Sequence, residues 1–218
     1  MNPALQSPGP AVHLVDDELS VREALTFLLQ SHGLAVQAYA SGPEFLWALS
    51  NHALRGCIVL DVRMEPMSGL QLHDELLDRH VNLPVLFLSG HGDIPMAVDA
   101  LQKGAFDFLE KPFNGDALVS RVRRALADEE ASHSQQNEHR HEADRMASLT
   151  EREAAVMRLV AAGKLNKVVA DALCVSVRTV EVHRARVFAK LGVRSSAEVA
   201  TLLTRLEQNE ELARGHKG

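Results

Sequence analysis

Two kinds of hydrophobic pattern alternate through the first half of the chain. Short apolar runs rich in β-branched residues predict strands, and between them apolar residues recur at helical spacing. Strand and helix in five successive pairs predict an α/β domain with a parallel sheet, and continuous apolar runs indicate that both its faces are covered. The predicted strands are 12–15, 35–39, 57–60, 85–88 and 106–109, and the predicted helices are 19–32, 43–51, 69–79, 95–103 and one that starts near Asp116.

Only helical patterns occur in the last third of the chain. Thr150 and Glu153 form a capping box that opens a helix to about Ala162. Three more helices are predicted at 166–173, at 177–191 between a Ser176 cap and Gly192, and from Ser195 or Ser196. Before them, the polar stretch after Leu126 has no heptad and predicts a helical or frayed linker. The expected organisation is a tail 1–10, an α/β domain 11–127, a linker 128–147, an all-α domain 148–206 and a tail 207–218.

Charge divides the chain in the same way. The formal net charge is −6, yet residues 1–127 hold fifteen acidic and nine basic side chains whereas residues 150–205 hold five acidic and ten basic ones. The basic second domain is therefore the part expected to meet a polyanion. The sequence lacks an apolar run long enough to span a bilayer, and its first residues do not resemble a signal peptide. A cytoplasmic protein without a membrane partner is expected.

Cysteine and histidine offer few signs of a metal site. Cys57 and Cys174 both lie in apolar segments, so a buried free thiol is expected at each rather than a disulfide or metal ligand. His133, His139 and His141 lie in the predicted linker, where a metal site is the alternative. Because no cysteine or apolar frame accompanies them, a solvated linker is the favoured interpretation.

Polar residues at the ends of four predicted strands form the candidate functional site. They are Asp16 and Asp17 after the first strand, Asp61 at the end of the third, Ser89 at the end of the fourth and Lys111 after the fifth. Ligands of parallel sheets bind at the carboxyl ends of strands. If the first and third strands are neighbours, three carboxylates meet and need a cation, and oxygen ligands favour Mg²⁺. With a hydroxyl and an ammonium added, the pocket suits a phosphoryl group.

The segments "VDDE", "LDVRM…MSGL", "LSGHGD" and "GAFDFLEKPF" resemble the receiver domain of two-component response regulators over residues 11–127, and the last two resemble its FixJ/NarL class. This resemblance implies a flavodoxin-like sheet of five parallel strands in the order 2-1-3-4-5. It also implies that Asp61 is the phosphoacceptor, that Ser89 and Lys111 contact the phosphoryl group and that Phe108 is the aromatic switch residue. Mg²⁺ would be bound by Asp17 and Asp61, by Asp16 through water, and by the Arg63 carbonyl.

One position departs from this family pattern. Members usually have Pro four residues after the acceptor, where this chain has Glu65 followed by Pro66. An altered loop and an added negative charge at the rim of the site are expected. Either would change the phosphotransfer partner or the rate of dephosphorylation without altering the assignment.

The segment 149–203 resembles the LuxR/FixJ/NarL helix-turn-helix. Helix 177–191 has an apolar stripe that includes Val180 and Val187, and its opposite face places small residues between arginines, which suits close approach to a DNA groove. The alternative is an amphipathic core helix with incidental charges. By position, Glu181, Val182 and Ala185 match base-contacting residues. The candidate phosphate contacts are Lys167, Arg178, Thr179, His183, Arg184, Arg186 and Lys190.

The last predicted helix has two interpretations. Val199, Leu202 and Leu203 lie where this family forms its DNA-domain dimer face, and the alternative is that they only pack in the core.

These resemblances predict a DNA-binding regulator and not an enzyme. Its expected partners are a sensor histidine kinase, double-stranded promoter DNA and a second copy of the chain once phosphorylated, with RNA polymerase as a further candidate. The rival interpretation is a DNA-binding regulator with a vestigial receiver used for partner contacts, against which the intact set of acids, serine and lysine argues. A phosphatase is disfavoured because no hydrolytic base is evident.

Overall fold

The computed structural model describes residues 9–90 and 94–215, and the chain divides into an N-terminal unit, 1–133, and a C-terminal unit, 134–218. Residues 1–8 of the expected N-terminal tail, 91–93 of the "LSGHGD" segment and 216–218 of the expected C-terminal tail lie outside the described residues. Within the part described, no helix combines the length and the apolar character needed to cross a membrane.

Parallel strands form the centre of the N-terminal unit. The strands are β1 (Ala11–Val15), β2 (Val36–Tyr39), β3 (Gly56–Asp61), β4 (Val85–Ser89) and β5 (Asp107–Glu110). They form a five-stranded sheet in the order β2-β1-β3-β4-β5, which confirms the expected topology. The three interior strands, β1, β3 and β4, are buried throughout, because helices cover both faces of the sheet.

Alternate residues of each strand enter different cores. Ile58 and Leu60 pack in one core, whereas Cys57 and Val59 pack in the other. The first core is closed by α2 (Gly42–Asn51), α3 (Gly69–Asp78) and α4 (Ile94–Gln102), and the second by α1 (Leu19–Ser31) and the first part of α5 (Gly115–Ala147).

Helix α5 extends beyond the cores of the N-terminal unit, because it continues through the segment predicted as a linker. Leu118 and Val122 pack on the sheet. Beyond them, Glu129 is buried and accepts hydrogen bonds from Arg55 Nε and Nη2, both at 3.1 Å. At the other end of α5, Met146 packs in a core of the C-terminal unit.

Four further helices make up the described part of the C-terminal unit after α5. The predicted capping box is present, with Thr150 Oγ1 accepting from the Glu153 N–H and the Glu153 carboxylate accepting from the Thr150 N–H. The predicted Ser176 cap and the left-handed Gly192 cap are present as well. The helices are α6 (Glu151–Ala161), α7 (Asn166–Leu173), α8 (Val177–Leu191) and α9 (Ser196–Gly215), the last of which extends into the segment expected to be a tail.

The two cysteines differ in their surroundings. Cys57 is a buried free thiol as expected. Its burial and, to a smaller extent, the negative charge of Glu129 raise its pKa to about 12. The expectation for Cys174 was wrong, because this thiol is exposed. Cys174 is the C-cap of α7 in a left-handed conformation, with φ of 53°, and this cap directs its side chain to solvent although its neighbours Leu173 and Val175 pack in the core.

Candidate functional site

The acidic residues meet at the carboxyl ends of β1 and β3. These strands are neighbours with Val15 opposite Leu60, so Asp16 and Asp61 continue side by side. Asp16 is 1% exposed and Asp61 is 7% exposed, whereas Asp17 is exposed to solvent. The sheet order thus brings together the acids that the sequence placed on separate strands.

Lys111 connects the two buried acids. Its Nζ lies 2.6 Å from Asp61 Oδ1 and 3.4 Å from Asp16 Oδ2. The backbone fixes this position, because the Lys111 N–H donates to the Ser89 carbonyl at 2.7 Å where β5 leaves the edge of β4. One ammonium therefore lies between two carboxylates at the end of the sheet.

Burial and charge shift the ionisation of this group. Burial raises the pKa of Asp16, and the nearby Asp61 charge adds to the rise, although the Glu18 N–H and Lys111 oppose it. For Lys111, burial alone would lower the pKa, but the hydrogen bond and charge of Asp61, with the charge of Asp16, outweigh burial and raise it. Lys111 is consequently a permanent cation at neutral pH.

The backbone of the β3–α3 loop holds the candidate phosphoacceptor. The Arg63 N–H donates to Asp61 Oδ2 at 2.9 Å, so each carboxylate oxygen of Asp61 has a partner. The loop then returns closely past the strand, since the Gly69 N–H donates to the Val62 carbonyl at 3.0 Å. A Cβ at Gly69 would overlap the Asp61 carbonyl oxygen, so this return requires glycine.

Asp17 contacts the backbone of the β3–α3 loop. Its Oδ2 accepts a hydrogen bond from the backbone N–H of Glu65 at 3.1 Å, across 48 positions of sequence. In the described part of the chain, which includes the linker residues His133, His139 and His141, no group of three or more His, Cys, Asp and Glu side chains is arranged to hold a metal ion. Among these described residues, the expected carboxylate ligands therefore do not form a ready metal-binding group.

The two expected switch residues lie on neighbouring strands. Ser89 is 1% exposed, and its Oγ donates to the Gly90 carbonyl at 3.2 Å. Phe108 lies on β5 and packs, partly buried, against the first core. Sequence reasoning missed the half-buried Arg22, which donates to the Asp16 carbonyl at 2.8 Å, because nothing in its local pattern separates it from the other polar residues of α1.

Helix α8 presents the expected reading face to solvent. Glu181, Val182 and Ala185 are all exposed, and Val182 is 46% exposed although it is apolar. Val180 and Val187 are buried on the opposite side. An exposed face with two small apolar residues is the form expected of a helix that enters a DNA groove.

The candidate phosphate contacts differ in whether their side chains already have partners within the C-terminal unit. Lys167, Arg178 and Arg186 are exposed, whereas Thr179 and His183 are half-buried. The remaining two candidates, Arg184 and Lys190, have partners within the C-terminal unit. Arg184 donates to Asn166 Oδ1 at 3.1 Å and lies over the Phe188 ring, and Lys190 Nζ contacts Glu153 Oε2 at 2.7 Å and the Ser148 carbonyl at 2.9 Å.

Helix α9 requires a correction to the expected dimer face. Val199 is fully buried and Leu202 is 3% exposed, and both pack with Met157, Val187 and Leu191 inside the C-terminal unit. These two side chains therefore hold α9 to the domain and are not an open surface. Leu203 is only partly buried, at the edge of the same core.

Comparison with known families decides the assignment. Residues 12–123 match the response regulator receiver domain, and residues 147–203 match the luxR family of bacterial regulatory proteins. The chain belongs to the response regulators with a LuxR-type DNA-binding domain. Members of this group are transcriptional regulators and not enzymes, in agreement with the sequence-based prediction.

Several relatives match this response regulator along most of its length. The C4-dicarboxylate transport transcriptional regulatory protein DctR of Rhodobacter capsulatus is 47% identical over 195 residues, which is 88% of this chain and 98% of the relative. The transcriptional regulatory protein FixJ of Rhizobium meliloti is 43% identical over 84% of this chain and 90% of its own length. Among solved structures, the response regulator StyR is 36% identical with a TM-score of 0.83, covering 90% of this chain and 98% of that one.

Proposed function

We propose that this chain is a phosphorylation-dependent transcriptional regulator that accepts a phosphoryl group on Asp61 from a sensor histidine kinase. The observation that carries the proposal is the Lys111 ammonium, 2.6 Å from Asp61 Oδ1 and 3.4 Å from Asp16 Oδ2. A fixed ammonium beside a nucleophilic carboxylate offsets the negative charge of the incoming phosphoryl oxygens. Because the kinase and promoter DNA are cytoplasmic partners, the proposed activity belongs to the cytoplasm.

In the proposed transfer, a carboxylate oxygen of Asp61 attacks the phosphorus of a phosphohistidine on the kinase. The P–N bond breaks, its electron pair returns to the imidazole, and an acyl phosphate forms on Asp61. Lys111 then pairs with the phosphoryl oxygens. Ser89 Oγ, which otherwise donates to the Gly90 carbonyl, turns to donate to the phosphoryl group, and Phe108 repacks behind it.

Mg²⁺ is the proposed cofactor of this pocket. Asp16, Asp17, Asp61 and the Arg63 carbonyl supply only hard oxygen donors, and a buried Asp16 with a raised pKa beside Asp61 is a pair that a divalent cation stabilises. When bound, the ion supplies positive charge that balances the acids and the phosphoryl oxygens.

Promoter DNA is the proposed target of α8. Glu181, Val182 and Ala185 are proposed to read bases, and Lys167 and Arg186, with the other basic residues of this surface, to contact phosphates. Arg184 and Lys190 make DNA contacts only if they release their partners within the domain. We also propose that phosphorylation favours a homodimer, with RNA polymerase as a further candidate partner.

Labelling with acetyl phosphate and Mg²⁺, followed by intact-mass measurement, tests the phosphoacceptor. Wild type should gain one phosphoryl group, and Asp61→Asn should gain none because an amide is not a nucleophile. Asp78→Asn is the matched control, since Asp78 is an exposed acid at the end of α3 and should leave labelling unchanged. Equal labelling of Asp61→Asn and wild type would favour the vestigial receiver.

A further inference from the structure

We infer that the backbone N–H of Glu65 is a latch that holds the Asp17 carboxylate away from Asp16 and Asp61 and thereby weakens Mg²⁺ binding. This inference rests on the proposed function, and it concerns regulation of the same site. The latch is the 3.1 Å hydrogen bond from the Glu65 N–H to Asp17 Oδ2.

The positions of the three acids support this role. Asp16 and Asp61 share the Lys111 ammonium, but Asp17 is exposed and is tied to the β3–α3 loop. With the latch closed, these acids do not form a metal-binding group among the described residues. Asp17 has to leave the Glu65 N–H, or share its carboxylate, before it joins a metal shell with the other two.

The strength of the latch follows from its chemistry. A backbone N–H that donates to a charged carboxylate makes a stronger bond than one that donates to a neutral acceptor, and its loss is worth about tenfold in an equilibrium constant. The cost of opening is therefore large enough to alter Mg²⁺ affinity.

Residue type decides whether this latch exists. Proline, which related receivers usually have at this position, lacks an N–H and makes no such bond. Glu65 supplies the donor, and its exposed carboxylate adds negative charge at the rim. The N–H opposes cation binding and the side chain favours it, so two substitutions at one position separate the two effects.

Calorimetric titration of the full chain with MgCl₂ tests the latch through two variants. Glu65→Ala removes the rim charge and keeps the N–H, whereas Glu65→Pro removes both. Glu65→Pro should bind Mg²⁺ about tenfold more tightly than Glu65→Ala. Equal affinity, or weaker binding by Glu65→Pro, would overturn the latch while wild-type Mg²⁺ binding still supported the proposed site.

A second measurement does not depend on the fold of the proline variant. In ¹⁵N-labelled wild type, saturation with MgCl₂ should move the Glu65 amide proton upfield, because that proton loses its carboxylate acceptor. An unchanged Glu65 amide shift at saturation would overturn the latch. If neither wild type nor Glu65→Ala binds Mg²⁺ at all, the proposed metal site fails together with the latch.

Discussion

Replacing Glu129 with Ala should destabilise the N-terminal unit by about 3 kcal/mol, because it leaves a largely buried guanidinium without a partner. Arg55 Nε and Nη2 each donate to the Glu129 carboxylate at 3.1 Å. The Glu129 side chain is 8% exposed and that of Arg55 is 21% exposed. Water therefore replaces the lost carboxylate only in part.

The magnitude depends on this partial exposure. Removing one member of a fully buried pair costs about 3–5 kcal/mol, and the exposed fraction of Arg55 favours the lower end of that range. A double variant, Arg55→Met with Glu129→Met, should recover most of the loss because no charge remains unpaired. The matched control is Glu75→Ala, which breaks an ion pair to Arg79 whose side chains are 40% and 42% exposed, and it should cost less than about 0.5 kcal/mol.

Urea unfolding followed by circular dichroism measures these differences. The chain has two compact units, so the transition of the N-terminal unit has to be fitted by itself. Acetyl-phosphate labelling should be unchanged in Glu129→Ala, since Arg55 comes just before the first residue of β3 and Asp61 is its last residue. A loss no larger than that of Glu75→Ala would refute the reasoning.

Three further outcomes are expected. Arg186→Ala should weaken binding to all DNA sequences and lower the slope of log binding constant against log salt concentration by about one. Glu181→Ala should cost about 1–3 kcal/mol of discrimination at one base pair per half-site, and an equal effect of this variant on every operator sequence would contradict the base-reading role of Glu181. Hydrogen bonds, first from the Lys190 ammonium, lower the pKa of Glu153 from 4.5 to about 2. The stabilisation of the C-terminal unit by this carboxylate is therefore complete above pH 4.5 and is lost as the pH falls toward 2, and an acid titration of Glu153→Gln should lack that loss. Cys174 should react with a thiol reagent in the native chain while Cys57 reacts only after unfolding, and two fast native thiols would contradict the burial of Cys57.

Much of the fold was predictable because its signals are local. The predicted strand 57–60 and the structural β3 differ by one residue at each end, and the predicted helix 177–191 has the bounds of α8. The meeting of Asp16 and Asp61 was also predictable, since carboxyl ends of parallel strands share one edge of a sheet.

The remaining features depend on partners that are distant in sequence. Glu129 lies in a polar stretch that predicts a solvated linker, and only Arg55, 74 positions earlier, explains its burial. Periodicity correctly marked Val199 and Leu202 as apolar positions of a helix, but it does not say whether such a stripe faces a core or a second molecule. The bond from Glu65 to Asp17 likewise joins two loops that only the folded sheet brings together.

Fluorescence anisotropy with beryllofluoride tests most directly whether phosphorylation of Asp61 controls DNA binding. The DNA would be an operator selected by the wild-type chain from a random library, titrated with wild type and with Asp61→Asn, each with and without beryllofluoride and Mg²⁺. Beryllofluoride should raise wild-type affinity by about 5- to 150-fold, the usual range of coupling between two sites, and should leave Asp61→Asn unchanged. An equal response of both proteins, or no response of the wild type while it still binds beryllofluoride, would contradict the account.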